Sequence, residues 1–89
     1  MTGAQAYHAA MARLLKDAPL SEALAQALMD GMMGGAVGEI ETAAVLTAMA
    51  RKGPTVEELV GLARGMRARM VAVTAPGPLL DTCGTGGSG

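Results

Sequence analysis

The residues best suited to chemistry stand together at the end of the chain, in the run Asp81-Thr82-Cys83-Gly84-Thr85-Gly86-Gly87-Ser88-Gly89. Four of the last six positions are glycine, and the run follows the apolar pair Leu79-Leu80. Apolar residues, an acid and then glycines read as a buried strand turning into a loop. Glycine permits positive φ and lets a ligand approach the backbone closely. Consecutive amides in such a loop form an anion-binding concavity, and a helix N-terminus after it adds to the attraction for phosphate. Residues 84–89 also satisfy G-x-G-x-x-G, but that fingerprint requires a βαβ unit and an acidic residue about 20 positions further on. The GK[ST] ending of a Walker loop is missing. Gly-Gly-Ser-Gly is equally the composition of a flexible linker. Composition alone therefore leaves a phosphate loop, a linker and another kind of turn open.

The other reactive side chains add little. Cys83 is the single cysteine and His8 the single histidine, so there is neither an internal disulfide nor a Cys/His pair at metal spacing. No base is paired with Cys83, which reads as a bystander in its loop. No catalytic residue and no metal ligand is assigned within the chain. One cysteine is compatible with a reducing cytoplasm. A net charge of −1 gives no electrostatic footprint for nucleic acid. Arg64, Arg67 and Arg69 cluster near the end of an expected helix, where cations complement the macrodipole. The N-terminus lacks the apolar core of a secretory signal. An uncharged stretch such as 42–50 is far below the ~20 residues that span a bilayer, so no membrane association is expected.

The preceding residues must position that terminal loop, and they read as helices. At 51% apolar and 17% charged, the chain is too rich in apolar residues to be disordered. Thr2 and Gln5 form a T-x-x-Q capping box that starts a helix near Gly3, and Tyr7, Met11, Leu14 and Leu15 follow at helical spacing. Asp17-Ala18-Pro19 interrupts it. Ser21 caps a second helix carrying Leu24, Ala25, Leu28, Met29 and Met32, which Gly34-Gly35 stops. A third helix over 39–51, capped by Gly38, carries Ile40, Ala43, Ala44, Leu46, Thr47 and Ala50. That broad apolar arc predicts burial on more than one side. After Gly53-Pro54, Thr55 and Glu58 form a T-x-x-E capping box. Leu59, Leu62, Ala63, Met66 and Met70 then repeat at i, i+3, i+4 and i+7, the pattern of a core-facing stripe. The pairs Met32-Met33 and Met66/Met70 read as core or subunit contact rather than as ligands. Residues 71–74 are β-prone, and Ala75-Pro76-Gly77-Pro78 is a punctuator.

The expectation is an all-α, small four-helix bundle followed by a short strand and glycine-loop stub that would enter an α/β domain. Its parts are a helical domain at 1–70, a linker at 71–78 and the start of the α/β domain at 79–89.

The chain resembles the N-terminal part of the anthranilate phosphoribosyltransferase family. The resemblance rests on Leu20-Ser21-Glu22, Leu28-Met29-Asp30, the run Ala43-Ala44-Val45-Leu46-Thr47-Ala48-Met49 and the run Lys52-Gly53-Pro54-Thr55-Val56-Glu57-Glu58-Leu59. It is completed by the loop Asp81-Thr82-Cys83-Gly84-Thr85-Gly86-Gly87. The related pyrimidine nucleoside phosphorylases share the helical domain, but their loop reads like Lys-His-Ser-Thr-Gly-Gly, and Thr82-Cys83-Gly84 favours the anthranilate enzyme.

The resemblance implies a cytoplasmic transferase of tryptophan biosynthesis that joins anthranilate to the phosphoribosyl group of 5-phosphoribosyl 1-pyrophosphate, with Mg2+ as cofactor. It implies substrate contacts at Gly84, Thr85, Gly87 and Ser88, although family members usually carry aspartate where Ser88 stands. It also implies a homodimer formed through the helical domain. The magnesium ligands and most anthranilate contacts would lie beyond these residues, so the 89-residue chain alone is expected to be inactive. The alternatives are a stand-alone helical interaction module with a flexible Gly/Ser tail, a nucleoside phosphorylase relative and a Rossmann domain.

Overall fold

A computed structural model describes residues 1–73, with side chains through residue 70. Four helices account for most of it: α1 (Gly3–Leu14), α2 (Glu22–Gly34), α3 (Glu39–Lys52) and α4 (Val56–Val73). Among the described residues there is no strand. Helix α4 takes in residues 71–73, beyond the stripe that ends at Met70. The strand, the glycine loop and the rest of the expected linker lie outside the described residues.

Each helix start follows from local chemistry. The Thr2 hydroxyl accepts from the Gln5 amide at 3.1 Å, and the Gln5 side-chain oxygen accepts from the Thr2 amide at 2.8 Å. This reciprocal box satisfies two amides that a helix leaves orphaned. Ser21 caps α2 by accepting from the Leu24 amide at 3.1 Å. Gly38 caps α3 without a side-chain bond. Two of the stops use glycine where the chain turns into positive φ, at Gly35 (89°) and Gly53 (92°). Past Gly35, the Val37 amide reaches back to the Gly31 carbonyl at 3.0 Å, and the buried Val37 side chain seals the turn.

Helix α2 is the shared member: α4 packs along one side of it and α1 along another, while α3 rests on α1. The α1 contribution is a line of small residues, Ala6 and Ala10, ending in Leu14. These join Leu20, Leu28, Val45 and Met49 in one core. The α2–α4 contact is the most extensive, and its cause is glycine. A Cβ on Gly61 would collide with the Glu22 carbonyl and come within 2.7 Å of the Ala25 Cβ; one on Gly65 would lie 2.8 Å from the Gln26 carbonyl. The two helices thus meet backbone to backbone over one turn. Arg64 pairs with Glu22 at 3.0 Å and Arg69 with Asp30 at 2.8 Å on the exposed flanks of that seam. The hydrogen bond from Arg69 holds the Asp30 carboxyl below its ordinary value.

Two expectations from periodicity need correction. The broad apolar arc of α3 is not buried on more than one side: Val45 and Met49 are buried, Ile40 is 83% exposed, and Ala43, Leu46, Thr47 and Ala50 are also exposed. Among the described residues α3 packs chiefly on α1, and its surplus apolar surface faces outward. The stripe of α4 is likewise turned away from the core. Glu58, Gly61 and Gly65 are buried instead, with Leu62 partly so, while Leu59, Met66 and Met70 are exposed. Close approach through glycine outweighed burial of the larger side chains.

Glu58 is fully buried and joins three segments. Its Oε1 accepts from the Thr55 amide at 2.8 Å and from Lys52 Nζ at 2.9 Å, while its Oε2 accepts from the Leu20 amide at 2.7 Å. Lys52 is nearly as hidden, its side chain only 8% exposed. Burial pushes the carboxyl upward, but the bonds from Leu20 and Thr55 and the Lys52 ammonium outweigh it and hold Glu58 below its ordinary value.

Replacing Glu58 by Gln leaves the Lys52 charge buried and uncompensated, and is expected to cost about 2–4 kcal/mol in urea unfolding. Because the folded carboxyl lies below its unfolded value of about 4.3, its contribution is fully present above that pH. The contribution is lost as pH falls through the folded value, so Glu58→Gln flattens the acid limb of the stability profile. At the seam, Gly61→Ala is expected to destabilise by about 1–3 kcal/mol, opposite in sign to the ~0.8–1 kcal/mol that alanine gains over glycine in an open helix. Gly34→Ala, whose methyl meets the flexible end of the Arg69 side chain first, stays near neutral when the two variants are compared by urea unfolding.

Candidate functional site

The residues singled out for substrate contact, Gly84, Thr85, Gly87 and Ser88, all lie outside the described residues, as does Cys83. What the structure places is the helix from which that segment continues. The axis of α4 is set by the seam on α2 and by the Glu58 network at its N-terminus. Of the three clustered arginines, Arg64 and Arg69 are committed to ion pairs with α2, whereas Arg67 lines an open groove. His8 stands edge-on to Tyr7, with ring centroids 5.5 Å apart. Among the described residues, no three His, Cys, Asp or Glu side chains come together to hold a metal ion. They therefore do not fit a magnesium centre.

Two open apolar grooves stand out among the described residues. One, of about 690 Å3, runs along α4 past Leu59, Leu62, Met66 and Met70, with Arg67 at its edge. The other, of about 590 Å3, lies between the end of α2 and the start of α3, lined by Met32, Met33, Val37 and Leu46, with Glu39 at its edge. Met29 lines both grooves, so they form one apolar surface crossing α3, α2 and α4. Apart from Glu39, Thr42 and Arg67, the lining of this surface is apolar or glycine. Its chemistry is that of association, and methionine suits it because an unbranched thioether adapts its shape to what it meets. Sequence reasoning weighed the Met66/Met70 pair as core or subunit contact; both are exposed, at 43% and 53%. The missed signal was Gly61-x-x-x-Gly65. Two glycines one turn apart inside a helix cost stability unless a neighbouring backbone needs the space.

Comparison with known proteins agrees with this architecture. Residues 8–70 match the helical bundle domain of a glycosyl transferase family. The chain is 50% identical over 70 residues to an anthranilate phosphoribosyltransferase of Methanothermobacter marburgensis, covering 76% of this chain and 20% of that protein. It is 48% identical over 80 residues to the protein of that name from Solibacter usitatus, covering 86% of this chain and 24% of the relative. A third, from Roseiflexus castenholzii, is 44% identical over 75 residues, covering 84% and 22%. The match thus spans between 20% and 24% of the length of these relatives. No solved structure gives a significant match.

If the methionine stripe is surface and the alanine-lined core is the fold's interior, Met66→Ser should cost less than about 1 kcal/mol. Leu28→Ala, at a fully buried position, should cost about 2–5 kcal/mol. Paired denaturant titrations measure both.

Proposed function

The chain belongs to the glycosyl transferase family through its helical bundle domain, and on that premise we propose that it is the N-terminal part of an enzyme transferring the phosphoribosyl group of 5-phosphoribosyl 1-pyrophosphate to the amine of anthranilate. The identity of 44% to 50% with relatives of that name is the observation that carries the reading. It is supported by the run Asp81-Thr82-Cys83-Gly84-Thr85-Gly86-Gly87, which departs from the loop of the pyrimidine nucleoside phosphorylases. The reaction belongs to tryptophan biosynthesis and, on this reading, runs in the cytoplasm.

In that role the helices do no chemistry. The work assigned to this chain falls to the glycine loop. Breaking the bond from the ribose C1 to pyrophosphate builds positive charge on the sugar and negative charge on the departing group. Backbone amides at Gly84, Thr85 and Gly87 hold the anionic donor, and glycine at 84 and 87 keeps the approach free of side chains. Ser88 offers a hydroxyl in place of the carboxylate usual in the family. Holding donor and acceptor in line supplies the largest share of the acceleration. Neutralising the leaving pyrophosphate would be the part of Mg2+, held by residues of the longer parent and not by this chain. The helical domain serves as the homodimer contact. The two open grooves favour a second reading, a helical interaction module that acts by association alone.

The test is phosphoribosyl transfer, followed by loss of anthranilate fluorescence. The 89-residue chain is expected to give no turnover above background, and a protein extended to the relatives' full length should be active. Transfer by the 89-residue chain would overturn the assignment of inactivity, and an extended protein inert toward anthranilate would overturn the assigned reaction.

A further inference from the structure

We propose that α4 is a carboxylate-fastened arm: charge ties and backbone contact, rather than buried apolar side chains, hold it to the bundle, and acid releases it before α1, α2 and α3 come apart. Helix α1 buries Ala6, Ala10 and Leu14, α2 buries Ala25 and Leu28, and α3 buries Val45 and Met49. Over residues 56–70, the buried positions of α4 are Glu58, Gly61 and Gly65, and none of them carries an apolar side chain. Leu62 is the α4 residue that packs against the apolar core, and it is only partly buried. Hydrophobic stabilisation follows the apolar area removed from water, so the side chains of α4 contribute little by that route.

Carboxylates stand in their place. At the start of α4, Glu58 accepts from the Thr55 and Leu20 amides and from Lys52 at the end of α3. Further along, Arg64 pairs with Glu22 and Arg69 with Asp30, both acids being on α2. Beside Leu20, in the α1–α2 connection, Asp17 pairs with Arg51, and Arg13 at the end of α1 donates to the Pro19 carbonyl. Against the upward push of burial, the bonds from Leu20, Thr55 and Lys52 hold Glu58 below its ordinary value. The bond from Arg69 does the same for Asp30. Both contributions are therefore present above the unfolded values of about 4.3 and about 3.9, and both are lost as pH falls through the folded values. A protonated Glu58 also leaves the Lys52 charge buried without its partner and adds a donor where two amides and an ammonium already donate. The core of α1, α2 and α3 is built from Ala, Leu, Val and Met, none of which titrates. Acid thus weakens what holds α4 and leaves the apolar core unchanged.

Amide hydrogen exchange of the 89-residue chain, resolved by residue with NMR and expressed as protection factors across an acid series, tests the inference. Near pH 3, protection in α4 is expected to fall about tenfold or more below that of α1, α2 and α3. Glu58→Gln at neutral pH should reproduce the selective loss. Asp30→Asn, at an exposed site that leaves the Glu58 bonds in place, should lower protection at the far end of α4 alone. If Glu58→Gln does not fold, the wild-type acid series and Asp30→Asn decide. Four helices losing protection together, α4 opening last, or an acid response that neither substitution alters would overturn the inference. None of these readouts depends on the transfer reaction.

Discussion

The buried carboxylate of Glu58 is the interaction on which the arrangement of helices depends. A helix start needs only the local half of what Glu58 does, the bond back to the Thr55 amide. The same group also accepts from the Leu20 amide in the α1–α2 connection and from Lys52 at the end of α3. One side chain thereby ties the α1–α2 connection, 38 positions away, to the turn between α3 and α4. A charge taken fully out of water is tolerable only when its lone pairs are filled, and here the filling comes from two amides and an ammonium. The cost of burial becomes a source of specificity: any packing that misplaces one of the three donors strands the charge.

The seam between α2 and α4 is a second constraint of a different kind. Hydrophobic burial tolerates many arrangements of similar volume, whereas backbone contact at Gly61 and Gly65 tolerates few. The chain accepts an intrinsic propensity loss at both glycines and leaves Leu59, Met66 and Met70 outside the core. What remains outside lines the apolar groove along α4.

Much of this was legible in the sequence because it is local. The Thr2/Gln5 and Thr55/Glu58 boxes, the Ser21 cap and the glycine stops at Gly34-Gly35 and Gly53 act within a few residues, so residue type and spacing suffice. The failures are at long range. Periodicity shows that α3 and α4 each have an apolar arc but not whether a neighbour covers it, and in both helices the arc proved to face outward. Spacing shows Glu58 as a cap alone, since its bond to Leu20 spans 38 positions. Of the candidate site, Gly84, Thr85, Gly87 and Ser88 lie outside the described residues, and the reading of their role rests on motif and family.

The glycine seam also has a mechanical consequence. With a rise of about 1.5 Å per residue, the eight residues of α4 beyond Gly65 form an arm of roughly 12 Å. A tilt of about 10° at its fulcrum displaces the tip by about 2 Å. Side-chain packing at a fulcrum allows tilts of that order as rotamers rearrange, whereas backbone resting on backbone has no rotamer to give. The seam therefore acts as a stiff bearing, and whatever the chain carries beyond Val73 starts from a point fixed in direction as well as position.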